Sequence, residues 1–305
     1  MKRELKNIIP FNNFWLKSCF YHAFLVVAQY YGGDPLNYIK NQFIHYQNKD
    51  GRFSVVNGGF IHYTKVEGIK EHRRKKEKNL IKAIKSKIDR DLPVILALDS
   101  FYLPFRNDTY LKKHIVHYVC VYGYDEEERQ LFLVDHEYWG SYKFEKKTLP
   151  MRWLVKAYHE YVKENPEKFT FFWYTKDGEK QLINYAQRYQ KDQRLLRAYL
   201  NMLKEQIANE SLEVESVRTL FGQLSWIHTA QCYMLQVNGK MEVYNAINNF
   251  VNQVRMIWAE LTRIQNFGFK PEKKEKLIGY LEHLYLLQVT MDGEMEKEQK
   301  LWTSL

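Results

Sequence analysis

The strongest pattern in the chain is an unbroken apolar run, Cys19-Phe-Tyr-His-Ala-Phe-Leu-Val-Val-Ala-Gln-Tyr-Tyr31, stopped by Gly32-Gly33. It predicts a helix over 19–31, ended by the glycines. A second helix is predicted over 35–46, followed by an irregular Gly-rich stretch through Gly58-Gly59-Phe60. Leu80, Ile81, Ile84 and Ile88 fall at helical spacing and predict a helix over 78–89. The short apolar run Val94-Ile-Leu-Ala-Leu98, just after a proline, reads as a buried central strand. Further strands are predicted over 117–122, 131–134, 141–144 and 169–173, with a helix over 151–164 between the last two.

Beyond about residue 176 the pattern changes to long 3.6-residue periodicity with few turn residues. Helices are predicted over 179–209, 213–235, 241–264 and 273–288, broken at Val237-Asn-Gly239 and Gly268-Phe-Lys-Pro271. Four helices on short links predict an antiparallel bundle. The expected organisation is an α+β domain over 1–176 and an all-α domain over 177–305, with oligomer contacts possible through the helical part.

Composition adds a globular core: 45% hydrophobic and 16% aromatic residues exclude a disordered chain. The formal charge of +10 points to an acidic partner. The densest basic run, His72-Arg-Arg-Lys-Lys-Glu-Lys78, leads into Leu80 and is expected to be the solvated start of that helix. No zinc-finger, homeodomain or RNP pattern accompanies the charge, so a nucleic-acid partner is not expected. Three scattered cysteines make no disulfide framework and favour a reducing compartment. Lys17 and His22 interrupt the first apolar stretch, and no run of about 20 apolar residues follows; neither a signal peptide nor a membrane partner is expected, and the expected location is cytoplasmic.

The chemistry is concentrated in the first half. Cys19 opens a helix, where the dipole and backbone N–H groups favour a thiolate. A buried structural cysteine is the alternative for that residue alone. A nucleophile also needs a base and a group to orient it. His117 heads His117-Tyr-Val-Cys-Val-Tyr-Gly-Tyr-Asp125, and Asp135 closes Leu131-Phe-Leu-Val-Asp135. His114 and His136 are alternative bases, and Asp99, with Tyr102 in the loop after it, is a candidate for orienting a substrate or the histidine. The oxyanion donors expected are the Cys19 N–H and Asn13, with Asn12 second. A zinc site is not expected, because His117 and Cys120 lie on opposite faces of one strand. His228 and Cys232 are four apart, too little for a metal site, and no cofactor is expected.

The order of Cys at a helix start, then His and Asp on successive strands, is that of papain-like enzymes. With Ser18-Cys19, Gly32-Gly33, Gly58-Gly59-Phe60, Val94-Ile-Leu-Ala-Leu-Asp-Ser-Phe-Tyr-Leu-Pro104 and the His117 and Asp135 segments, the first half resembles the BtrH-like family, papain-fold relatives named for the butirosin side-chain acyltransferase. The resemblance implies acyl transfer from a carrier-protein phosphopantetheine thioester to a small-molecule amine, in natural-product biosynthesis, through an acyl-enzyme on Cys19. Phe20 departs from the small residue that follows the cysteine in many papain-like relatives, and Asn stands where the peptidases carry Gln. A cysteine peptidase or amidase on the same three residues, and a catalytically silent papain-like interaction module, are the competing readings.

Overall fold

The computed structural model describes residues 1–12, 18–35, 38, 44–49, 52–57, 59–136, 138, 143–180, 185–237 and 239–303. Along the chain the elements are β1 (Lys2–Glu4), α1 (Cys19–Tyr30), β2 (Ile44–Lys49), β3 (Arg52–Asn57), α2 (Gly59–Glu67), β4 (Lys70–Arg74) and α3 (Leu80–Ile88). Then come β5 (Val94–Asp99), a 3-10 turn (Ser100–Tyr102), β6 (Val116–Asp125), β7 (Gln130–Asp135), β8 (Glu145–Pro150), α4 (Met151–Glu164) and β9 (Phe171–Thr175). Four long helices complete the chain: α5 (Tyr185–Ala208), α6 (Val214–Val237), α7 (Met241–Phe267) and α8 (Pro271–Thr303). The protein thus mixes helices with a β-sheet. Among the described residues no helix is long and apolar enough to cross a membrane.

The chain divides into two compact units, Met1–Asn37 with Thr64–Gln181, and Tyr38–Tyr63 with Leu182–Leu305. The first is built on a seven-stranded antiparallel sheet in the order β4-β9-β5-β6-β7-β8, with β1 paired to the end of β6. All six residues of β5 are buried, which is why the strand reads as a continuous apolar run. α1 begins where the Ser18 hydroxyl accepts the Phe20 N–H (3.3 Å) and stops at Gly32, whose φ of +75° suits glycine. His22 through Ala28 are all buried, as the unbroken apolar run requires. At Gly123 the β6–β7 register shifts, and β1 passes so close that a Cβ would lie 2.8 Å from the Arg3 carbonyl oxygen.

Several expectations need correction. The basic run does not start a helix: Lys70–Arg74 is the edge strand β4, and α3 starts only after Asn79, whose side chain accepts the Lys82 N–H at 3.2 Å. Charged edge strands lack an apolar signal and guard against unwanted pairing. The strand expected at 141–144 lies at Glu145–Pro150, where only Leu149 is buried; residues 141–142 fall outside the described residues. Most of the helix expected over 35–46 also falls outside them, but Ile44–Tyr46 belong to β2, and Gly59-Phe60 open a helix instead of an irregular stretch.

The second unit combines the β2–β3 hairpin with α5–α8. Its core holds Leu196, Leu203, Phe221, Phe250, Val254, Ile257, Leu277 and Leu284, all essentially buried. A polar network crosses that core. The Tyr46 N–H donates to Asp192 (3.2 Å), the Tyr46 hydroxyl to Gln288 (3.1 Å), and the side-chain amides of Gln288 and Gln193 to Asp292 (2.7 and 2.8 Å). Burial raises the Asp292 carboxyl to about 7.

Candidate active site

The strands of the first unit bring together residues that are far apart in sequence. His117 is the second residue of β6, and Asp135 is the last residue of β7. The β6–β7 ladder pairs Cys120 with Val134, which leaves the two side chains diagonal neighbours. His117 Nε2 lies 2.7 and 2.8 Å from the two carboxylate oxygens of Asp135. Cys19, at the first turn of α1, hydrogen-bonds to the His117 side chain, and its sulfur accepts the Tyr118 N–H. With Nε2 committed to Asp135, Nδ1 is the nitrogen left for the thiol. Sulfur, imidazole and carboxylate therefore form one relay.

Its electrostatics are those of an ion pair. Burial on its own would raise the Cys19 thiol, but the charge and hydrogen bond of His117, with the Tyr118 N–H, outweigh it and bring the thiol below its ordinary value. Burial would likewise lower His117, yet Asp135 and Cys19 overcome it and lift the imidazole to about 9. Burial disfavours the Asp135 carboxylate, while His117 holds it below the usual carboxylate range. These directions all favour the set of thiolate, imidazolium and carboxylate over the neutral thiol and imidazole. His117 and Asp135 are buried, whereas Cys19 is a partly exposed residue.

The other candidates divide. Asp99 does not face His117: its Oδ2 takes His114 Nδ1 at 2.6 Å and its Oδ1 caps the 3-10 turn by accepting the Phe101 N–H at 3.0 Å. His114 stacks on Phe101 and stays largely exposed. The Tyr102 ring lies beneath the Lys156 ammonium, 5.1 Å from its centroid. Asn12 is spent on structure, with its side chain exchanging both backbone hydrogen bonds of Phe144 (3.0 and 2.6 Å). Asn13 lies outside the described residues. Phe20 turns its ring edge-on to Tyr118 (5.2 Å) and Phe172 (5.3 Å), so the bulky neighbour of Cys19 packs against β6 and β9.

Sequence reasoning passed over Arg106. It is 2% exposed and puts Nη1 2.9 Å from His136 Nε2 and 3.1 Å from His117 Nε2. An arginine in a loop between Phe105 and Asn107 carries no sign of burial; only the folded ends of β6 and β7 supply its partners. His136, an alternative base, is driven down to about 3, mainly by burial, and is a neutral acceptor for that guanidinium. His117, Asp135 and His136 also offer donor atoms within 4.8 Å of one another, the make-up of a metal site. The guanidinium already sets a cation against both ring nitrogens.

No curated protein matches the chain. Residues 43–136 match the family model described as Butirosin biosynthesis protein H, N-terminal. That stretch contains His117 and Asp135 and begins after Cys19. It supports placing the chain in a BtrH-like family.

Proposed function

We propose that the protein is a papain-like cysteine acyltransferase acting in natural-product biosynthesis, with Cys19 as nucleophile, His117 as acid and base, and Asp135 as the group that orients the imidazole. The observation that carries this reading is the continuous hydrogen-bonded relay from sulfur through imidazole to carboxylate, polarised toward the thiolate. The BtrH-like match and the free, partly exposed thiol support it further.

The Cys19 thiolate attacks the carbonyl carbon of a carrier-protein thioester, and the new C–S bond forms as the carbonyl becomes an oxyanion. The Cys19 N–H, at the positive end of α1, is proposed to receive the oxyanion, with Asn13 the second donor expected from the sequence. Collapse breaks the bond to the carrier thiol, which leaves with the proton from the His117 imidazolium. An amine then attacks the acyl-enzyme, His117 takes its proton, and Cys19 departs as thiolate, restoring the ion pair. Exchanging one thioester for another is nearly thermoneutral, so rate depends on positioning the amine and excluding water. A net charge of +10 suits an acidic carrier protein, and a reduced thiol suits the cytoplasm. Asp99 and Tyr102, at the same end of β5, are proposed to contact substrate.

The test is intact-mass analysis after adding an acyl carrier protein thioester. The wild type should gain one acyl group and lose it when an amine is supplied, with the amide as product; Cys19→Ala should gain none. An adduct persisting in Cys19→Ala would end the reading, and free acid as the sole product with amine present would make the protein a hydrolase on the same residues.

A further inference from the structure

Behind the relay lies a charge that a Cys, His and Asp mechanism does not call for. A buried arginine is costly unless its donors are met. Here a carboxylate and an imidazole meet them. Nε and Nη2 take the two carboxylate oxygens of Asp108 (3.1 and 2.9 Å), a two-point clamp that fixes the plane of the guanidinium. Nη1 is thereby aimed inward, at His136 Nε2 (2.9 Å), at His117 Nε2 (3.1 Å) and Nδ1 (3.4 Å), and toward Asp135 Oδ1 (3.9 Å).

We propose that Arg106 is a positioning residue for His117 that acts through His136 and Asp135, a role that rests on Cys19, His117 and Asp135 being the reacting groups. Because Nη1 donates to His136 Nε2, the neutral His136 ring carries its proton on Nδ1, which faces Asp135 Oδ1 at 3.3 Å. The same oxygen accepts the His136 backbone N–H at 2.7 Å. The backbone N–H thus holds the carboxylate from the His136 side, and the His136 ring, steadied by Arg106, packs against the same oxygen. His117 in turn keeps Nδ1 toward the thiol. The His136 ring is itself backed by Phe144 (4.5 Å), whose backbone Asn12 clamps. Arg106 is the member of this shell whose tether, Asp108, lies outside the relay. Among the described residues the charged and titratable groups that face it are Asp108, His117, Asp135 and His136.

The test uses the rate at which iodoacetamide labels Cys19 in the full chain, from roughly pH 4 to pH 10, with a thermal melt on each variant to establish folding. Arg106→Gln should move the thiolate-forming limb up by about one pH unit, so that labelling below that limb slows about tenfold. Arg106→Lys, with the charge but without the fork, should fall between the two. A purely structural arginine would lower the melting temperature and leave the limb in place, and that result overturns the proposal. If Arg106→Gln does not fold, Asp108→Asn releases the clamp with the guanidinium present and should shift the limb in the same direction; an unmoved limb again overturns the proposal. A wild-type limb at an ordinary thiol value would overturn the active-site reading as well, whereas a depressed wild-type limb with unmoved variants would overturn the role of Arg106 alone.

Discussion

Replacing Asp135 by Asn keeps the shape and one acceptor oxygen of the side chain and removes its charge. The imidazole of His117 stands at about 9 against an ordinary 6.5, a difference worth roughly 3 kcal/mol in favour of the imidazolium. Burial opposes that difference, and Asp135 is the larger of the two attractions that overcome it, ahead of Cys19. Losing the carboxylate charge therefore costs the imidazolium on the order of 1–2 kcal/mol, which reduces the thiolate–imidazolium population about tenfold. The pH window follows from the two directions. Thiolate exists above the lowered Cys19 value, and imidazolium is lost as pH rises through about 9, so the ion pair occupies the interval between them. Asp135→Asn should bring the upper end of that interval down, because the imidazolium loses its main attraction, and slow thiol alkylation there. Stopped alkylation followed by peptide mass spectrometry, read on the Cys19 peptide, gives the profile directly. A profile superimposable on the wild type, from a variant that melts normally, would refute the claim that the carboxylate polarises the relay.

Two predictions concern the framework. Asp292 has a carboxyl raised from 3.8 to about 7, so its burial is tolerated while it is protonated and becomes unfavourable as pH rises through about 7; urea unfolding should show the chain less stable at about pH 8 than at about pH 5 by roughly 2–3 kcal/mol, and Asp292→Asn should flatten that dependence. Gly123→Ala places a Cβ 2.6 Å from the Phe132 ring and 2.8 Å from the Arg3 carbonyl oxygen; with backbone on one side the clash cannot be relieved by a rotamer change, and a loss of about 1–3 kcal/mol is expected in the same assay.

What the sequence disclosed and what it hid have a common physical cause. α1 and β5 are legible because they are buried on nearly every side, so their residues are apolar regardless of neighbours. α5–α8 are legible through their periodicity, although α8 continues to Thr303, well past the predicted end at 288. β1, β4 and β8 are hidden because they lie at or near sheet edges, where lysine, arginine and glutamate meet the requirement better than valine. Cys19, His117 and Asp135 could be proposed from element ends alone, since a helix start and two strand ends are positions that the pattern marks. Which aspartate serves which histidine is another matter: the pattern favours Asp135 and His117 but leaves His114 as an alternative base and Asp99 as an alternative orienting group. The choice is made by register, because pairing Leu98 with His117 and Cys120 with Val134 brings β7's final carboxylate beside β6's first imidazole.

Arg106 marks the limit of such reading. Its burial comes from Asp108 two residues on and from histidines 11 and 30 residues away, and none of these spacings is a recognisable motif. Residues that carry out chemistry tend to sit at the ends of regular elements, where a sequence pattern can be read. Those that hold such residues in place are fixed by tertiary contacts between loops. A buried charge with a partner at each of its nitrogens is the structural sign of the second kind, and here one imidazole, that of His136, stands between it and the carboxylate it steadies.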